Sequence, residues 1–356
     1  MRAAVASDSR SLSPRTNMPQ PTPPAPEPVA ADRAVRRRRH RLGAMVAAFA
    51  AIFLLRCAAA PDATVPERSI VACGRALDIG TRVVSWLEAD GYDAYRRGRH
   101  FTADEVPDGK LRYEPVRGGL PDAIAARARE RGLSLADLQR AVHLFVIHFD
   151  VCGTSRQCFK VLHDVRCLSV HFLLDVDGTI YQTLDLREKA HHATIANDAS
   201  IGVEIAHPGC WPQPLSADMR RWYERDEQGW RMRLPPGVAD GVRTPGFVAR
   251  PARAEIVSGE VHGRTYWQFD YTPQQYAALA HLCAGLAALF PRIRLDAPRD
   301  ATGAIRTNAL AADELLAFDG IVGHFHVQTN KQDPGPAFQW DRVLDEARTL
   351  RSGMRP

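Results

Sequence analysis

Apolar positions along the chain fall into short runs separated by polar punctuation, and their spacing changes from one segment to the next. Residues 142–149 (VHLFVIHF) are almost wholly apolar and rich in β-formers, so they read as a buried strand. Residues 169–175 (SVHFLLD) read as a second strand, turning through Asp177-Gly178 into a third at 179–182. Asp-Gly between two apolar runs is the strongest short signal for a hairpin. Residues 200–206 (SIGVEIA) give a fourth strand, with Ile201, Val203 and Ile205 on one face and Glu204 on the other. Helical spacing predicts a helix over 155–167. It predicts another after Thr272-Pro273-Gln274-Gln275, which supply an N-cap, an N1 proline and a capping-box glutamine. Tyr276, Leu279, Cys283, Leu286 and Phe290 then mark its buried stripe. Ser134 and Asp137 have capping-box spacing ahead of a short helix toward Ala141. Residues 321–340 read as a short strand and a turn-rich loop, and 341–351 as a closing helix.

Strands alternating with helices predict an α/β fold with a mixed central sheet and helices on both faces. The organisation expected is a leader over 1–60, an N-terminal extension over 61–142 and a main domain over 143–345. Between about 208 and 270 the periodicity breaks down. Pro, Gly and Arg are frequent there, and Trp211, Trp222, Trp230 and Trp267 follow no period, so this segment reads as an insertion lying over the core.

Charge is uneven. The net +5 comes from the leader, where ten arginines against Asp8, Glu27 and Asp32 leave +7; the remaining 36 basic and 38 acidic residues leave −2. A nucleic-acid-binding body is therefore not expected. In the leader, a Pro/Ala-rich stretch precedes Arg36-Arg37-Arg38-Arg39-His40-Arg41, fourteen mostly apolar residues (42–55) and Ala58-Ala59-Ala60. A basic flank, a short apolar segment and a small-residue end describe an export signal; fourteen residues are short for a membrane span, which needs about 20. Met18 is an alternative start. Cys57 raises lipidation, for which the preceding Arg56 is a poor fit. The expected location is the periplasm or cell envelope, with the leader either cleaved or retained as a membrane anchor. No two of the seven cysteines form C-x-x-C, which argues against a thiolate zinc cluster, and in an exporting context Cys152 and Cys158 could form a small bridge.

Three residues are candidate metal ligands: His148 at the end of an apolar strand, His324 after Ile321-Val322-Gly323, and Asp333 ahead of Pro334-Gly335-Pro336, which restricts the backbone. Two imidazoles and a carboxylate suit a catalytic zinc with an open fourth position for water. With thirteen histidines in the chain, spacing alone carries this only weakly.

The motifs V-I-H (146–148), H-F-L-L-D-x-D-G-T-I-Y-Q (171–182), S-I-G-V-E-I (200–205), G-H-F-H-V (323–327) and N-K-Q-D-P-G-P (330–336) occur in that order. Together they resemble the zinc-type N-acetylmuramoyl-L-alanine amidases, the superfamily that includes the peptidoglycan recognition proteins and some phage endolysins. The resemblance covers 143–207 and 271–340 and implies a peptidoglycan-recognition-protein-like amidase fold. It also implies zinc as the cofactor, held by His148, His324 and Asp333, and peptidoglycan or muropeptides as substrate. Glu204 matches the residue that handles the proton of the attacking water, and Lys331 the cation that stabilises the tetrahedral intermediate. His192 and Asn197 match substrate-side positions, and a cysteine pair in animal relatives has spacing like that of Cys152 and Cys158. Val170 stands where some relatives carry a catalytic tyrosine, which leaves the proton-handling role to Glu204. His171 and His326 match no ligand position. The rival reading is a non-catalytic module that binds the peptide stem in the same groove; three intact candidate ligands favour the enzyme.

Overall fold

The computed structural model describes residues 66–102 and 111–353; the expectations for the leader, including its membrane attachment, lie outside them. In chain order the strands are β1 (Ser69–Ala72), β2 (Arg75–Asp78), β3 (Val83–Ser85), β4 (Tyr113–Glu114), β5 (Leu144–Phe149), β6 (Phe172–Leu174) and β7 (Ile180–Gln182). They continue with β8 (Lys189–Ala190), β9 (Ser200–Ile205), β10 (Tyr223–Asp226), β11 (Gly229–Met232), β12 (Val257–Val261), β13 (Arg264–Gln268) and β14 (Gly320–Gly323). Helices are α1 (Asp122–Arg131), α2 (Leu135–Ala141), α3 (Ser155–Phe159), α4 (Ala217–Trp222), α5 (Pro273–Leu289), α6 (Ala312–Ala317), α7 (His324–Val327) and α8 (Trp340–Gly353).

Six strands form the central sheet in the order β14-β5-β9-β6-β7-β3. Neighbours are parallel except β6 and β7, the expected hairpin around Asp177-Gly178. The sheet is therefore mixed, as its sequence pattern predicts. Alternation along β5 and β9 divides the core. Phe145, Ile147, Ile201, Val203 and Ile205 point to one face, where α5 and α8 cover them. Each such fully buried side chain stabilises the fold by roughly 1.5–3 kcal/mol. The opposite positions of β5, Leu144 and Val146, pack under α6 with Ala193 and Ala196, while Leu173 and Tyr181 pack under α3 with Phe159 and Leu162. Helices thus flank both faces.

Local chemistry explains the helix starts. Thr272 and Gln275 make the complete capping box ahead of α5, and the Ser134 side chain accepts from the Asp137 N–H ahead of α2. The helix expected over 155–167 holds α-geometry only through Phe159 and continues as a wider π-turn over Lys160–Val165. The extension is tied into the sheet: β3 is its edge strand, paired in parallel with β7. Its Arg112 and Arg117 are among the largest fully buried side chains. The aperiodic 208–270 segment contains α4, the β10–β11 and β12–β13 hairpins, and a cluster of Met219, Tyr223 and Phe269 against which its four tryptophans pack. Aromatics spread over two hairpins and a short helix have no single period, which is why the pattern reads as formless in one dimension.

Candidate metal centre and active site

The site lies at the C-terminal ends of three adjacent parallel strands, β14, β5 and β9, where open α/β sheets commonly bind ligands. His148 is the fifth residue of β5 and shares the face of Leu144 and Val146. Glu204 is its partner in register on β9, so the two side chains rise from neighbouring strands on the same side. β14 ends at Gly323, and His324 follows as the first residue of α7. Asp333 comes from the following loop, whose backbone carbonyl accepts from the Phe325 N–H at 3.1 Å.

These elements bring three donor atoms together. His148 Nδ1 lies 2.9 Å from His324 Nδ1 and 3.0 Å from Asp333 Oδ2, and His324 Nδ1 lies 2.9 Å from the same oxygen. All three residues are buried. The outer ring nitrogens have partners of their own: His324 Nε2 reaches Gln328 Oε1 at 2.9 Å, and His148 Nε2 reaches His192 Nδ1 at 3.1 Å. Gln328 Oε1 only accepts, so His324 Nε2 carries the hydrogen and its Nδ1 lone pair faces inward. With His148 protonated likewise on Nε2, two bare nitrogens and a carboxylate oxygen converge. That arrangement is repulsive without a cation and fits one well. Tetrahedral zinc at about 2.0–2.1 Å from each ligand needs the trio to open by only a few tenths of an ångström. Burial, reinforced by His324, pushes His148 down to about 4, so it is a neutral donor near pH 7.

The trio opens into a cavity of about 290 Å³ also lined by Glu204, Lys331, His191, His192, Asp150 and Arg166. Glu204 is partly buried, and its carboxylate accepts no hydrogen bond among the described residues. Burial first, and then the negative charges of Asp333 and Asp150, raise its pKa well above 4.5. A carboxylate in that position can take up and return a proton.

Asn197 does not line the cavity: its Oδ1 accepts from the backbone N–H groups of His192 at 3.1 Å and Ala193 at 2.6 Å, holding the turn that presents His192. Nor are Cys152 and Cys158 bridged. Both thiols are free and line the cavity, in side-chain hydrogen-bond contact. Burial above all raises the Cys158 pKa well past its ordinary value. His171 and His326 serve the backbone: His171 Nδ1 accepts from Gly202 N, and His326 Nδ1 from Gly323 N.

The insertion braces the ligand loop, a feature not foreseen from the sequence. Gln268 donates through Nε2 to the Pro334 carbonyl and accepts from the Ala337 N–H. Tyr271, just past the insertion, donates to the same Pro334 carbonyl, and His262 Nε2 donates to the Lys331 carbonyl at 3.0 Å. The 262–271 segment therefore positions the loop carrying both Lys331 and Asp333. The fit is close: Gly335 at φ 82° has Gln268 where a side chain would go.

The fold and site define a mixed α/β protein with a buried two-histidine, one-aspartate centre able to hold a metal ion. Residues 138–336, more than half of the chain, match the family model described as N-acetylmuramoyl-L-alanine amidase, and the chain belongs to that family. A search of curated proteins gives no match.

Solved structures similar to it include AmiD from E. coli in complex with anhydro-N-acetylmuramic acid-L-Ala-D-gamma-Glu-L-Lys. The two share 18% identity at a TM-score of 0.33, over 58% of this chain and 57% of that one. Others are the endolysin amidase LysCS from Clostridium intestinale (14%, TM-score 0.31, 59% and 86%) and a selenomethionine AmpD derivative (18%, TM-score 0.27, 60% and 86%). The chain thus spans little more than half the length of the first of these, and the family assignment rests on residues 138–336.

Proposed function

We propose that the protein is a zinc-dependent amidase that hydrolyses the bond between the lactyl group of N-acetylmuramic acid and L-alanine in peptidoglycan or its muropeptides. The observation that carries this reading is the convergence of His148 Nδ1, His324 Nδ1 and Asp333 Oδ2 at a cavity shared with Glu204 and Lys331. Membership of the amidase family supports it.

In this reading His148, His324 and Asp333 would hold zinc at the edge of the cavity. Bound there, zinc would lower the pKa of water toward about 7 and polarise the scissile carbonyl. Glu204 accepts the water proton on a carboxylate oxygen and returns it to the departing alanine nitrogen. The Lys331 ammonium offsets the charge that develops on the carbonyl oxygen. We further assign the activity to the cell envelope, for which the leader's basic run and apolar segment are the support. Among the described residues no helix is long and apolar enough to cross a membrane.

Mass spectrometry of digested muropeptides, paired with metal analysis of the purified full chain, tests the proposal. One zinc per chain and release of peptides with N-terminal alanine are expected, with turnover lost on chelation and restored by zinc. Turnover that survives complete metal removal would refute the mechanism, and tight muropeptide binding without cleavage would leave the recognition module instead.

A further inference from the structure

We propose that His192 is a positioning residue that fixes the tautomer and ring orientation of His148; this rests on reading His148 as a metal ligand. Metal-bound histidines usually give their outer N–H to a carboxylate, a backbone carbonyl or water, and loss of that partner weakens metal binding. His324 follows this pattern through Gln328. For His148 the partner is another imidazole, with its rings perpendicular and their centroids 5.3 Å apart.

The protons can be assigned all the way along this row. His148 presents Nδ1 to the other ligands, so its Nε2–H donates to His192 Nδ1 at 3.1 Å. His192 must then carry its hydrogen on Nε2, which lies 3.3 Å from Ser200 Oγ, a hydroxyl that can accept. With His148 Nδ1 on the metal side, the row Ser200, His192, His148 is satisfied at every link, and the His192 acceptor holds His148 in that tautomer.

The fold makes room for this contact and holds it rigid. Ser200, Gly202 and Glu204 share one face of β9, and the His192 ring lies over Gly202. A Cβ at Gly202 would stand 2.5 Å from His192 Nδ1 and 2.6 Å from its Cε1, too close for any side chain. Glycine inside a buried strand commonly marks such a close approach. Beneath, the Gly202 N–H is held by His171 Nδ1. Asn197 ties down the backbone of the turn at His192. A neutral imidazole accepts the hydrogen bond as a carbonyl would, and adds no further negative charge to a cavity that already holds Glu204, Asp150 and Asp333.

The test measures metal affinity of the full chain by competition with a chromophoric chelator, together with the visible spectrum of the cobalt-substituted protein. His192→Ala should weaken zinc binding by about 10- to 100-fold and alter the cobalt absorption bands. His192→Asn, whose amide oxygen can occupy the place of Nδ1, should recover most of the affinity and the wild-type spectrum. Gly202→Ala, which drives the ring off its seat, should weaken binding as His192→Ala does. Unchanged affinity and spectrum in His192→Ala, with only KM raised, would overturn the proposal and make His192 a substrate contact. Wild-type protein that takes up neither zinc nor cobalt would overturn the metal reading itself, a result distinct from the previous one.

Discussion

Replacing Glu204 by glutamine separates chemistry from stability, because the two should move in opposite directions. The amide keeps the shape of the side chain but cannot accept the water proton. Loss of a positioned general base costs about 10²–10⁴ in rate, which is roughly 3–5 kcal/mol of activation free energy. Metal affinity should hold, since Glu204 is not among the three converging donors.

Stability should rise. The carboxylate is partly buried beside Asp333 and Asp150 and has no hydrogen-bond donor among the described residues, so its charge is unfavourable in the fold. Its folded pKa lies above the unfolded value near 4.5, so the folded protein binds more protons between the two. The wild-type contribution is therefore fully present below 4.5 and is lost as pH rises through the folded pKa. In metal-free protein the glutamine variant should be more stable at pH 7.5 by ~1 kcal/mol or more, tempered by the cavity opening, and the advantage should vanish near pH 4. Urea titrations at both pH values and chromatography of released peptides measure the two effects. A variant that turns over within threefold of wild type, or that is less stable at pH 7.5, refutes this account of Glu204.

Lys331→Ala should lower kcat by about 10²–10³ with little change in metal content, the usual scale for losing one stabiliser of a developing oxyanion; steady-state kinetics with a defined muropeptide checks this, and an unchanged kcat removes Lys331 from the chemistry. Arg117 is fully buried, and burial lowers it only to about 10, so it stays cationic while donating to the carbonyls of Asn197, Asp198, Ser200, Leu186 and Glu188. Arg117→Ala leaves those oxygens unpaired around a cavity and should cost about 3–5 kcal/mol in urea unfolding; a loss below 1 kcal/mol would show that the web is dispensable.

The sequence alone determined those features whose causes are local. Apolar runs with strand-forming residues gave β5, β6 and β9, Asp177-Gly178 placed the hairpin, and Thr272 with Gln275 placed the start of α5, because side-chain periodicity and capping act within a few residues. The ordered motifs brought out His148, His324 and Asp333, and alternation along β9 put Glu204 opposite Ile201, Val203 and Ile205. Tertiary structure decided what depends on distant segments meeting. Only the parallel register of β5 with β9 sets Glu204 beside His148, and only the folded 262–271 segment shows that an aperiodic insertion braces the loop of Asp333. Asn197 holds the backbone of its own turn, and the Cys152 and Cys158 thiols meet at the cavity, because orientation and proton affinity arise on folding. Spacing along a chain carries neither quantity; each is fixed by the atoms that pack around the group once the chain has closed.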